Sequence, residues 1–281
     1  MEFVSFQHIL ADYKAIFLDS YGVIKNHKGL IPGVGHTLEQ IRSQGIILRV
    51  LTNDASRSQE QLAESFNKLG LLDIHPGEVI SSGMMAQQFL EKKIPRGRVA
   101  FLGTPNSAHY IHQAGLESIS ISEVDLDHIQ DLTAVAFLDD EGFDWNHDIN
   151  KVLNLLRRKN IPAIVANSDT QYPVSRLDVS IATGGIANLV EQTLKRSFVH
   201  FGKPDSQMFM YAFEQINALQ NVEKEDILMV GDTLETDILG GNKFGIKTLL
   251  VLSGNTRERE YERRITSMGI IPDFVSGSIA T

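Results

Sequence analysis

The sequence predicts an α/β protein: a Rossmann-like, doubly wound parallel sheet as core, interrupted by an inserted α/β domain. Two observations predict it. Short apolar runs alternate with amphipathic helical stretches along nearly the whole chain, the pattern of strand–helix–strand units. Several of those runs are apolar without interruption, as in strands covered on both faces of a parallel sheet, and they end abruptly in polar residues. The segments ending in chemistry-capable side chains lie at the two ends of the chain. Between them a stretch carries enough strands and helices for a core of its own. The expected boundaries are residues 1–82 with 184–281 for a discontinuous core, and 83–183 for the insertion.

The first apolar run, Ala15 to Leu18, leads into Asp19-Ser20-Tyr21-Gly22-Val23. A loop punctuated by Gly29, Pro32 and Gly33 follows, then a helix from Thr37 to Gln44 with Leu38 and Ile41 on its apolar side, stopped by Gly45. Ile46 to Leu51 reads as a second buried strand, ending in Thr52-Asn53-Asp54. Ser58 to Leu69 is an amphipathic helix closed by Gly70.

The inserted run begins near Ser82-Gly83. It reads as a strand at Val99 to Leu102, a helix at Ser107 to Ala114 and a strand at Ala134 to Leu138 before the acidic Asp139-Asp140-Glu141. A helix from Asn146 to Arg158 carries Ile149, Val152, Leu153, Leu155 and Leu156 as an apolar stripe, and a strand from Ile161 to Ala166 ends in Asn167-Ser168-Asp169. After Gly184-Gly185 come a helix, a strand at Val199 to Gly202 and a helix at Asp205 to Leu219. A strand from Ile227 to Val230 ends in Gly231-Asp232, and a helix from Glu235 to Phe244, a strand from Thr248 to Leu252 and a charged helix near Arg257 to Met268 complete the pattern.

Composition narrows the function. The chain has 281 residues, 42% of them hydrophobic and 22% charged, which suits a soluble globular protein. Acids outnumber bases 35 to 26, giving a formal charge of −9, and no long basic run is present, so nucleic acid is not the expected partner. There is no cysteine, which excludes disulfides, thiolate nucleophiles and Cys-bound metals. The N-terminal residues do not read as a secretory signal, and no run approaches the roughly 20 apolar residues of a membrane span. A cytoplasmic protein with no membrane partner is expected.

Four strand ends carry the chemistry when read together: Asp19, Thr52 with Asn53, Lys203, and Asp232 with Asp237. Singly, each is explained by a cap or a turn. Together they suit phosphoryl transfer. Asp19 and Asp232, on neighbouring strands, can hold one Mg²⁺, a hard cation that takes oxygen ligands. The Lys203 ammonium would help neutralise charge on a phosphate, the Thr52 hydroxyl would hold its oxygens, and the Asp19 carboxylate would attack phosphorus.

The motifs FLDSYGVI at 17–24, LTND at 51–54, HFGKPDSQMF at 200–209 and VGDTLETDILGGNKFGIKTLLVLSG at 230–254 resemble, in order, those of the haloacid dehalogenase superfamily. Their spacing resembles the class IIA, nitrophenylphosphatase-like branch, whose α/β cap lies between the second and third motifs. The resemblance implies Asp19 as nucleophile and metal ligand, the Tyr21 main-chain carbonyl and Asp232 as further Mg²⁺ ligands, and Asp237 supporting the metal's water shell or Lys203. It implies phosphate binding by Thr52, Asn53 and Lys203. A cap would close over a small phosphorylated metabolite, with Asn167 and Asp169 as substrate contacts, and related caps support a homodimer.

One position departs from the pattern. Family phosphatases usually carry an acid/base Asp two residues after the nucleophile; here that residue is Tyr21. A phenol with a reference pKa near ~10 donates a proton but is a poor base at neutral pH. A slow or selective phosphatase, a phosphoester-binding protein with little turnover, and a dehalogenase-type hydrolase therefore stay open.

Other candidates have plainer readings. His109 and His112 lie three apart on one helix but lack a third metal ligand nearby, Trp145 reads as a core or helix-start aromatic, and Asp139 to Glu141 reads as a solvated acidic loop.

Overall fold

A computed structural model describes residues 2–70, 73–175 and 178–280. The strands among the described residues are, in chain order, β1 Glu2–Phe3, β2 Ala15–Leu18, β3 Lys25–Asn26, β4 Gly29–Leu30, β5 Ile47–Thr52, β6 Val79–Ser81, β7 Arg98–Leu102, β8 Glu117–Ser120, β9 Leu132–Phe137, β10 Ala163–Val165, β11 Gln171–Pro173, β12 Val179–Ile181, β13 Val199–His200, β14 Ile227–Gly231, β15 Lys247–Val251 and β16 Phe274–Ser276. The chain forms two compact units, one of Met1–Thr52, Leu62–Ile80 and Lys203–Thr281, the other of Asn53–Gln61 and Ser81–Gly202.

The first unit is built on a seven-stranded sheet in the order β1-β16-β15-β14-β2-β5-β6. Where β2 meets β14, the strand order reverses direction along the chain; both flanking pairs, β2 with β5 and β14 with β15, are parallel. That reversal is the topological switch point at which open α/β sheets bind ligands, outside the carboxyl ends of the strands. The strand β2 is fully buried because Ala15 to Leu18 face cover on both sides. It stops at Leu18, where the apolar run stops, and Ser20 and Tyr21 turn the chain into the small hairpin β3–β4. Ile16, Leu18, Val50, Leu228, Val230 and Leu249 form one face of the core.

The second unit has its own five-stranded sheet, β13-β10-β9-β7-β8, parallel throughout, and the separate hairpin β11–β12. The unit boundaries differ from those expected. The helix Thr183–Leu194 and strand β13 belong to the second unit, not the first. Ile186, Ala187, Val190 and Phe198 join Val135, Phe137 and Val165 in its core, and β13 pairs with β10. Gly184 and Gly185 sit inside the first turn of that helix rather than before it. The second unit also takes Asn53–Gln61, so the chain passes between units at 52–53.

Two smaller expectations change. The stretch Glu235–Phe244 starts as a π-helical turn, Leu234–Ile238, before the α-helix Leu239–Phe244. Such turns often accompany functional sites because they re-aim one side chain. Trp145 opens the helix Trp145–Arg158 but is 40% exposed, with its Nε1 donating to the Asp140 carbonyl, so it is not a core residue. No helix among the described residues is long and apolar enough to cross a membrane.

Candidate active site

The site is assembled at the carboxyl ends of the central strands of the first unit. Asp19 follows β2, and its backbone N–H donates to the Val230 carbonyl of β14 at 2.9 Å, which locks the end of one strand to its neighbour. Asp232 directly follows β14. Asp237 is brought back to the same place by the π-turn, where its Oδ2 accepts from the Thr233 backbone N–H at 3.1 Å. Carboxylate oxygens of Asp19, Asp232 and Asp237 all lie within 4.8 Å of one another.

Lys203 completes the cluster. It is 2% exposed, and its Nζ lies 2.5 Å from Asp19 Oδ1, 2.7 Å from Asp237 Oδ1 and 2.9 Å from the Leu51 carbonyl of β5. Burial works against the ammonium charge, but Asp19 and Asp237 outweigh it and hold Lys203 above its ordinary range. Burial, reinforced by the Asp19 and Asp237 charges, raises the Asp232 carboxyl well above its ordinary range. Three carboxylates against one ammonium leave a surplus of negative charge out of water. Such a donor set, all hard oxygens, fits a divalent cation such as Mg²⁺.

Glycines make room for it. The Asp232 side chain lies between Gly22 and Gly254, where an added Cβ would fall 2.0 Å and 1.9 Å from its Oδ2. Gly22 also has a φ of +82°, a conformation that L side chains rarely adopt. The loop after β15 fixes this arrangement: Ser253 Oγ donates to the Gly22 carbonyl at 2.6 Å, and the Asn255 backbone N–H donates to Asp232 Oδ2 at 2.6 Å. Ser253 and Asn255 did not stand out in the sequence. Their only signal is position, since they follow the strand next to the one bearing Asp232.

The other expected residues divide. Thr52 ends β5, is 6% exposed and belongs to the same unit as Asp19. Tyr21 makes an isolated bridge to Lys25, and the backbone of His27 hydrogen-bonds its phenol oxygen. Burial raises that phenol above its ordinary pKa. Asn53 belongs to the second unit, where its side-chain amide donates to Asp169 Oδ1 at 2.8 Å. Asn167 Oδ1 accepts from the Asp169 backbone N–H at 2.9 Å, so Asn167 and Asp169 serve each other and Asn53. The acidic loop after β9 is not simply solvated. Burial pushes Asp139 up to about 6, and Asp140 is raised as well, with Tyr172 donating to it at 3.0 Å. His109 and His112 are outside the acidic cluster, and His112 meets Ser118 at 2.8 Å.

Comparison with known proteins supplies the deciding observation. Family models described as haloacid dehalogenase-like hydrolase and HAD-hydrolase-like match residues 16–117 and 200–281, which contain Asp19, Thr52, Lys203, Asp232 and Asp237. A possible sugar phosphatase of the HAD superfamily from Cytophaga hutchinsonii is 49% identical in sequence; the alignment covers 100% of this chain and 99% of that one, with a TM-score of 0.96. The chain belongs to the haloacid dehalogenase-like hydrolases.

Within that superfamily its similarities lie with the class IIA branch. The 4-nitrophenylphosphatase of Thermotoga maritima is 26% identical, with 97% of each chain covered and a TM-score of 0.79. Glycerol-3-phosphate phosphatase of Gallus gallus is 27% identical over 97% of this chain and 91% of its own length. The matched segments contain every member of the switch-point cluster, Asp19, Lys203, Asp232 and Asp237.

Proposed function

We propose that this chain is a Mg²⁺-dependent phosphatase of a small phosphorylated metabolite, acting in the cytoplasm through an aspartyl-phosphate on Asp19. The observation that carries the reading is the meeting of Asp19 with Lys203, Asp232 and Asp237 at the switch point. Similarity to phosphatases of nitrophenyl phosphate and glycerol 3-phosphate supports a phosphate monoester as substrate.

In this reading the Asp19 carboxylate attacks phosphorus, the new Asp19–phosphoryl bond forms as the ester P–O bond breaks, and the leaving oxygen takes up a proton. Water then attacks the aspartyl-phosphate, releasing inorganic phosphate and restoring Asp19. Lys203, held between Asp19 and Asp237, orients the nucleophile and offsets charge on the phosphoryl oxygens. Thr52 donates its hydroxyl to those oxygens. Asp19, Asp232 and the Tyr21 main-chain carbonyl would hold Mg²⁺, with Asp237 behind them, and the bound ion supplies positive charge against the phosphate.

Tyr21 favours a second reading beside the first. Its phenol, raised by burial and bonded to the His27 backbone, is a poor base for activating water. Turnover is therefore slow or selective for good leaving groups, and a phosphoester-binding protein with little turnover is the limiting case. Phosphate release from p-nitrophenyl phosphate separates these readings. Mg²⁺-dependent release that Asp19→Asn abolishes is expected. Thermal stabilisation by Mg²⁺ and a phosphoester without any release would favour the binding protein. Chelator-insensitive halide release from a 2-haloacid would overturn both.

A further inference from the structure

Asn53 immediately follows Thr52, yet its surroundings belong to the second unit. It is 4% exposed and held by neighbouring polar groups. Its Nδ2 donates to Asp169 Oδ1 at 2.8 Å and meets Ser168 Oγ at 3.5 Å. Its main-chain carbonyl accepts from Ser82 Oγ at 2.8 Å. Its Oδ1 lies against Gly202, where an added Cβ would come within 2.6 Å, and Gly202 has a φ of +107°. Gly202 directly precedes Lys203. The residues adjoining both Thr52 and Lys203 are therefore packed against each other.

Asp169 is fixed in its turn. Its N–H donates to Asn167 Oδ1, and its carbonyl accepts from the Gly184 N–H at 3.0 Å. An added Cβ at Gly184 would fall 2.4 Å from the Ser168 carbonyl oxygen, so the helix Thr183–Leu194 can approach only with glycine there. A carboxylate is a strong acceptor for a buried amide and an unfavourable neighbour for a phosphate of like charge.

We infer that Asp169 is a positioning residue: it holds Asn53 and thereby orients the Thr52–Asn53 peptide and the Thr52 hydroxyl, rather than contacting the substrate. The inference rests on the phosphatase reading above. Displacement of a phosphate-holding group by a fraction of an ångström weakens the transition state more than the bound ester, so the loss falls on turnover.

The test is a double-mutant cycle on p-nitrophenyl phosphate hydrolysis by the full chain. Asp169→Ala and Asn53→Ala are each expected to lower kcat about 10- to 100-fold with KM little changed, and the double variant no further than the worse single one. Asp169→Asn, which keeps an acceptor oxygen for the Asn53 amide, retains most of kcat. Should either alanine variant fail to fold, the exchanged pair decides: Asn53→Asp sets two carboxylates face to face, and adding Asp169→Asn restores the lost turnover. Additive losses, a change confined to KM, no rescue in the exchanged pair, or Asp169→Asn no better than Asp169→Ala would each overturn the inference. If the unaltered chain releases no phosphate, the phosphatase reading fails separately. The positioning role is then read from hydrogen exchange at backbone amides 51–54, which Asp169→Ala is expected to speed at least about tenfold as local opening becomes easier. Unchanged exchange there overturns it.

Discussion

At the residue scale, the proposed hydrolysis turns on Tyr21. General acid–base help is worth roughly 10²–10⁴-fold in hydrolyses of this kind. A phenol raised above its ordinary range by burial, with its oxygen engaged by the His27 backbone, supplies the acid half of that help poorly and the base half hardly at all. Tyr21→Asp places a carboxylate with a reference pKa near ~4 two residues after Asp19. The expected outcome is a kcat for an alkyl phosphate at least about tenfold higher, near the lower end of that range. The gain on p-nitrophenyl phosphate is smaller, because nitrophenolate leaves without protonation. Steady-state rates on the two esters at fixed Mg²⁺ check this. An equal or slower alkyl phosphate rate, with Mg²⁺ affinity intact, would place the acid–base role elsewhere.

At the scale of elements, the loop after β9 gives a pH dependence. Burial pushes the Asp139 carboxyl up to about 6 from the ordinary 3.8, with Asp140 and Asp54 adding charge repulsion, while the Asp140 N–H and the Thr104 hydroxyl pull the other way. Between those values the folded chain binds more protons at this site than the unfolded chain does. Stability from this group therefore falls as pH rises through the window and stays lower above it. Asp139→Asn removes the charge. It is expected to raise the melting temperature modestly above about pH 6 and to leave it unchanged near about pH 4, since the group is partly solvated and carries no charge at the acid end. Melting curves across that range decide, and a gain that is the same at both ends contradicts the account. The loop also shows what the sequence leaves hidden. Three consecutive acids look solvated from their composition, and only the approach of Thr104, Tyr172 and Asp54 from distant segments reveals the burial. The strands β2, β5, β14 and β15 were legible because unbroken apolar runs are demanded of any strand covered on both faces. The strands β1, β3, β4, β6, β8, β11, β12 and β16 were not, since each is four residues or fewer and none stands in a longer apolar run. Asp19, Lys203, Asp232 and Asp237 were legible because each stands at or near a strand end. The Asn53–Asp169 pair spans 116 residues and left no local trace.

At the scale of the whole molecule, the two units give metal binding a place where it should be felt. Asp19, Asp232 and Asp237 all belong to the first unit, on the ends of β2 and β14 and on the turn after β14. A ligand that binds only the folded state stabilises what it binds by RT ln(1 + [L]/Kd), about 2.7 kcal/mol at a hundredfold excess over Kd. For a unit of this size each kcal/mol shifts the melting temperature by roughly 2–4 °C, so saturating Mg²⁺ is expected to raise the transition of the first unit by about 5–10 °C. Hydrogen exchange assigns that shift. Amides of β2, β5, β14 and β15 should exchange more slowly with Mg²⁺ present, while those of β7, β9 and β10, which pair in a separate sheet, keep their rates. A chelator reverses the effect. Asp232→Asn removes a buried carboxylate whose charge is unfavourable without a cation beside it, so the variant gains stability in metal-free buffer and loses the response to Mg²⁺. Equal protection in both sheets, or a full Mg²⁺ response in Asp232→Asn, would mean that the ion binds somewhere other than the end of β14.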